Sequence, residues 1–224
     1  MTTTILRTDL FKILLPAITI GLCFAIWLLP LGLDYFGTIL AALIIIIASF
    51  VQFKKNGLKS LGFRRNGLKK RNILVLAPLA AAGLYLLYYF ILIPSISRLT
   101  GSTINFSTFN DLQGNLPYAL VALVFIWISA AFGEEIIWRG YFMRQFSRIF
   151  GEGKISVILN ILIFAVLFGM MHSYQGVTGQ LITGIIGLFL AVIFQFRKYD
   201  LWFNIAVHGF FDTLGLLTIY NGWM

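Results

Sequence analysis

An all-α bundle of membrane-spanning helices is the fold class this sequence predicts, and three observations predict it. Of its 224 residues, 59% are hydrophobic and 11% charged, where soluble domains carry about 45–50% and about 25%. Seven apolar runs follow one another along the chain, each close to the roughly 17–25 residues that a helix needs to cross a bilayer. No polar block is large enough to fold as a separate soluble domain. Residues 1–224 are therefore expected to form a single integral membrane domain of about seven to eight transmembrane helices. Residues 1–115 supply N-terminal helices and a basic loop, and residues 116–224 the core.

The first run, 11–29, follows Arg7 and Lys12. It is too long for the apolar part of a secretory signal and has no small-residue cleavage site after it, so it is expected to remain as the first helix. Pro30, Gly32 and Asp34 turn the chain into the second run, 36–53. The linker that follows holds 8 of the 17 basic residues between Lys54 and Arg71, and repeats Asn-Gly-Leu at Asn56 and Asn66. Positive charge gathered between two spans marks the cytoplasmic side and rests on anionic headgroups. The net charge of +9 thus reads as a topology signal and not as a groove for nucleic acid. The N-terminus is then cytoplasmic, in a multi-pass protein of the plasma membrane. After the third run, 73–93, a polar loop at 94–115 faces outward.

The fourth run, 116–137, returns inward and meets Arg139, Arg144, Arg148 and Lys154. Apolar Tyr141, Phe142, Phe146 and Ile149 carry the same helix onward to Gly151 and Gly153, which end it. The fifth run, 155–171, stops at His172. The sixth, 177–196, has Gly179, Thr183 and Gly187 four residues apart, a small-residue row that permits close helix approach. The seventh, 201–220, carries Asn204, His208 and Asp212. Cys23 is the only cysteine, which excludes an internal disulfide and a cysteine metal cluster.

The polar groups within the runs point to function. Residues 132–142 read FGEEIIWRGYF, placing two of only 8 acidic residues in an apolar segment, at roughly 2.5–3.5 kcal/mol per charge even on the mildest scale. Glu135 and Arg139, Phe168 and His172, and His208 and Asp212 are each four residues apart, so each pair shares one helix face. Glu134 and His172 both lie 19 residues from Gly153, which brings them level if the two helices form an antiparallel hairpin. A carboxylate in a dry pocket can take a proton from water, Arg139 can hold its neighbour ionised, and a histidine can donate to a developing oxyanion. The same atoms could instead hold zinc through Glu134, His172 and His208, although no H-E-x-x-H motif is present. No serine or cysteine stands in a recognised nucleophile setting.

The run EEIIWRG resembles the EExxxR motif of the CAAX-protease and bacteriocin-processing family, also called Abi or type II CAAX prenyl endopeptidases. Phe168–His172 resembles that family's FxxxH motif, and His208–Asp212 its HxxxN or HxxxD motif; Asp212 stands where eukaryotic members commonly have Asn. The resemblance covers residues 116 to about 220. It implies an intramembrane endopeptidase with a cytoplasm-facing cavity and a membrane-associated peptide or protein substrate, such as a bacteriocin precursor. By matching positions it assigns Glu134 as the base that activates water, Glu135 and Arg139 as its support, His172 as an aid to the water, and His208 with Asp212 as stabilisers of the oxyanion. No cofactor is expected, with zinc as the alternative. A non-catalytic binding protein for bacteriocin self-immunity, or a regulatory scaffold, could use the same pocket. A proton-coupled transporter would also use buried Glu and His, but the chain shows no internal repeat.

Overall fold

The computed structural model describes residues 2–30, 32–33 and 36–224; Asp34, which the sequence places in the first turn, lies outside them. Among the described residues there is no strand. Seven long helical rods coincide with the seven apolar runs: α1 (Thr2–Leu28), α2 (Gly37–Leu61), α3 (Asn72–Thr100), α4 (Leu116–Phe150), α5 (Lys154–Met170), α6 (Gly176–Phe196) and α7 (Leu201–Tyr220). Five of them are long and apolar enough to cross a membrane. The other two are α5, which is apolar but short, and α7, whose apolar face is interrupted by Asn204, His208 and Asp212. Those two helices bring the histidines. Ile13, Ile18, Ile47, Leu79 and Val166 are exposed on the outside of the bundle, an apolar surface that suits lipid and not water. The protein is a multi-pass membrane protein.

Two elements run further than the apolar pattern alone indicates. Helix α3 continues through Pro94 to Thr100, and the turn just before the proline, Tyr88–Leu92, is π-helical. Proline lacks the N–H for the i to i−4 bond and its ring crowds the preceding turn; widening that turn accommodates it without ending the helix. The basic linker is also largely helical. It runs on from α2 to Leu61, is capped by Gly62 at φ +104°, and makes a 3₁₀ turn over Arg65–Leu68. Gly62 is required there, because a left-handed φ is strained for any side chain and its carbonyl accepts the first N–H of α7, from Leu201, at 3.1 Å.

The bundle packs around α4. On one side α1 stacks Trp27 on Trp138, with ring centroids 5.5 Å apart, and Phe24 on Phe142 at 5.8 Å. The small residues Ala41, Ala42 and Ala48 of α2 are buried in the same core. On the other side α5 returns antiparallel after Gly151 and Gly153. Asn160 Nδ2 donates to Met143 O and to Ser147 Oγ, both at 3.0 Å, and Trp138 meets Phe168 while Phe142 meets Phe164. Each step of four residues down α4 is thus matched by four residues up α5. His172 follows just beyond the end of α5, past Met170. Helices α5 and α6 cross at Gly169 and Gly184, where a Cβ on Gly169 would lie 2.5 Å from Gln180 O. Helix α7 closes the bundle. It packs Gly209 under the Trp127 ring of α4 and joins α3 through the Tyr85 and Thr218 hydroxyls, 2.5 Å apart.

Candidate active site

The carboxylate pair stands on an unusual stretch of α4. Residues Ile126–Glu134 and Ile136–Met143 are both π-helical, a wide conformation that recurs at functional sites. Adjacent residues diverge by about 100° on an α-helix and by somewhat less on a wider π turn, so Glu134 and Glu135 cannot face the same way. Glu135 turns into the bundle and is fully buried; Glu134 is half-buried.

Glu135 is the hub of the buried network. Its Oε1 accepts from Arg139 Nη1 at 2.7 Å and from His208 Nδ1 at 2.9 Å, and its Oε2 accepts from Asn204 Nδ2 at 2.7 Å. Three donors on two helices therefore offset the cost of burying this charge. Arg139, 2% exposed, is held in turn: its Nη2 donates to Gly187 O of α6 at 2.9 Å, and its guanidinium lies over the Phe168 ring, 4.6 Å from the centroid. The side-chain amide of Asn204 also donates to Leu190 O at 3.1 Å. Both of its N–H groups are committed, so Asn204 orients Glu135 and has no donor left for a substrate.

The two histidines are arranged differently. His208, 5% exposed, turns Nδ1 to Glu135 and Nε2 to Asp212 Oδ2 at 3.4 Å. His172 sits just past the end of α5 with Nδ1 2.8 Å from Phe168 O. A carbonyl only accepts, so Nδ1 carries the proton and Nε2 presents a lone pair. The Phe168 ring contacts both imidazoles, at 4.9 Å from His172 and 6.2 Å from His208. Of the six residues singled out by the sequence, Glu135, Arg139, His208 and Asp212 form one bonded chain. His172 joins it through Phe168. Glu134 makes no hydrogen bond to the protein among the described residues.

Glu134, His172 and His208 are the residues the sequence offers as zinc ligands. Both nitrogens of His208 already face carboxylates, and among the described residues no three His, Cys, Asp or Glu side chains are gathered so as to hold a metal ion.

Some of the network lay beyond sequence reasoning. The Gly187 and Leu190 carbonyls are main-chain acceptors, invisible in side-chain patterns. The small-residue row on α6 did point at Gly187, where a Cβ would lie 2.8 Å from Phe168 Cδ1. Asn204, one turn before His208, bonds the buried carboxylate directly.

Fold and site together define a membrane-embedded helical protein in which buried Arg139, Asn204 and His208 fix one carboxylate beside another that bonds none of them. Residues 116–214 match the family model for Rce1-like type II CAAX prenyl endopeptidases. This segment carries all three motifs, and the match agrees with the resemblance read from EEIIWRG, Phe168–His172 and His208–Asp212. No curated protein and no solved structure matches the chain.

Proposed function

We propose that this protein is an intramembrane endopeptidase that hydrolyses a peptide bond of a membrane-associated peptide or protein, with Glu134 as the base. The observation that carries the reading is the asymmetry of the pair: Glu135 accepts from Arg139, His208 and Asn204, whereas half-buried Glu134 has no protein donor and is free to meet water. Glu134 takes a proton from a water molecule, and the oxygen adds to the scissile carbonyl carbon. The Nε2 lone pair of His172 orients that water by accepting its second proton in a hydrogen bond. Negative charge develops on the carbonyl oxygen, which His208 Nε2 meets as donor. Its contact with Asp212 is long enough, at 3.4 Å, for an incoming oxygen to share the hydrogen. Collapse of the adduct breaks the C–N bond, and the proton held by Glu134 passes to the leaving amine. Asp212 acts here on the His208 ring, the part of the oxyanion site a carboxylate can serve. Glu135 and Arg139 keep His208 in place.

The basic linker supports a cytoplasmic N-terminus and a pocket open to the cytoplasm of a plasma-membrane protein. The test is a comparison of wild type with Glu134→Gln at equal membrane abundance, reading new peptide N-termini in the membrane fraction by mass spectrometry. We expect wild-type-dependent termini to vanish in Glu134→Gln and in His172→Ala. Indistinguishable terminal profiles for all three proteins would overturn the protease reading and leave a binding or immunity protein.

A further inference from the structure

The linker between α2 and α3 does more than carry charge. Gly62 O accepts from Leu201 N, and Gly67 lies so close to the Asp200 carboxylate that no Cβ would fit between them. These contacts fold the linker against the turn between α6 and α7. The cleft they enclose has a volume of about 1050 Å³ and is lined by Lys59, Arg64, Lys69, Arg71, Arg197 and Lys198, with Asp200 as its one carboxylate.

Asp200 cannot neutralise that wall, because it is already engaged. It caps α7 by accepting from Phe203 N at 3.4 Å, and it lies 3.8 Å from Arg197 Nη2. The Arg197 Nε is buried and has no hydrogen-bond partner. Six cations around one committed carboxylate repel one another unless an anion enters, and guanidinium and ammonium groups together suit the several acceptor oxygens of phosphate. Phe63, which lines the cleft, packs its ring against Trp202 at 4.8 Å. That gives the cleft an aromatic wall of the kind found at the headgroup level of a bilayer.

We propose that this cleft is a phosphate-binding site, of the kind filled by the headgroup of an acidic phospholipid or by a free phosphate anion. The site is distinct from the Glu135 network and does not depend on the protease reading. The full-length protein, in nanodiscs of phosphatidylcholine with a minority of phosphatidylglycerol, is extracted and its retained lipid counted by native mass spectrometry. Wild type is compared with the double variant Lys69→Glu, Arg197→Glu, and with Lys154→Glu, an exposed cation at the start of α5 on the same side of the bundle. Retained phosphatidylglycerol should fall about tenfold in the double variant and less than about twofold in Lys154→Glu. Equal loss in both variants would show diffuse attraction to a charged surface and overturn the site, as would no loss in either. Addition of millimolar inorganic phosphate separates the two sources. Undisturbed phosphatidylglycerol assigns the site to a lipid headgroup, and displacement assigns it to the free anion. A fold difference between variants is excluded by matched thermal unfolding; a double variant that unfolds early is replaced by Arg64→Gln with Lys69→Gln.

Discussion

Glu134 and Glu135 differ by one position and by almost everything else. Removing Glu135 leaves Arg139 buried without its anion, so Glu135→Ala is expected to lower stability by about 3–5 kcal/mol, read as a large drop in the unfolding temperature in detergent. Glu134→Gln deletes no protein hydrogen bond and should change stability by no more than about 0.5 kcal/mol while abolishing turnover. Reversed sensitivities would mean that the two carboxylates have exchanged roles. Asp212 offers a second check. An asparagine there still presents an oxygen to His208 Nε2, so Asp212→Asn should retain turnover, whereas Asp212→Leu frees the ring and should reduce it by on the order of a hundredfold. A complete loss in Asp212→Asn would show that the charge itself is needed.

At the scale of elements, the site depends on how closely α5 and α6 approach. The glycines of α6 are not interchangeable. A Cβ on Gly187 meets the Phe168 ring at 2.8 Å, while one on Gly184 meets its nearest atom, Ala165 O, at an ordinary 3.4 Å. Gly187→Ala should therefore cost about 1–3 kcal/mol and also lower activity, because Phe168 carries both the Arg139 guanidinium and the two imidazoles. Gly184→Ala should be nearly neutral in the same unfolding and turnover measurements. Equal effects would place the helix contact elsewhere than at Phe168. The four-residue spacing from Gly179 to Gly187 showed that α6 lets another helix approach closely. It could not show which glycine meets an aromatic ring, because that depends on the crossing with α5.

For the whole molecule, the arrangement of charge along the chain carries a topology that can be measured. In a Cys23→Ser background, Lys55→Cys in the basic linker and Ser107→Cys in the polar loop after α3 are both exposed positions. A membrane-impermeant thiol reagent on intact cells should label Ser107→Cys at once and Lys55→Cys only after permeabilisation. The opposite order would invert the bundle. The linker also shows where charge counting stops. Eight basic residues in one stretch mark a side of the membrane, but their enclosure into a cleft requires Gly62 and Gly67 to dock on the far-off turn before α7.

Much of this protein follows from the chain read in one dimension. Seven apolar runs correspond to seven helices, five of them long and apolar enough to span, because in a bilayer every backbone N–H and C=O must be bonded within its own segment. Four-residue spacing determines which polar groups share a face, and the glycines at 151 and 153 mark where α4 gives way to antiparallel α5. Tertiary structure decided the rest. Which of two adjacent glutamates turns inward depends on the donors awaiting it: Arg139 on its own helix, but Asn204 and His208 on α7, about seventy residues away in sequence. The backbone acceptors at Gly187 and Leu190 exist for the site only once α6 lies beside it. Periodicity records which face a side chain takes; what stands opposite is settled when the helices meet.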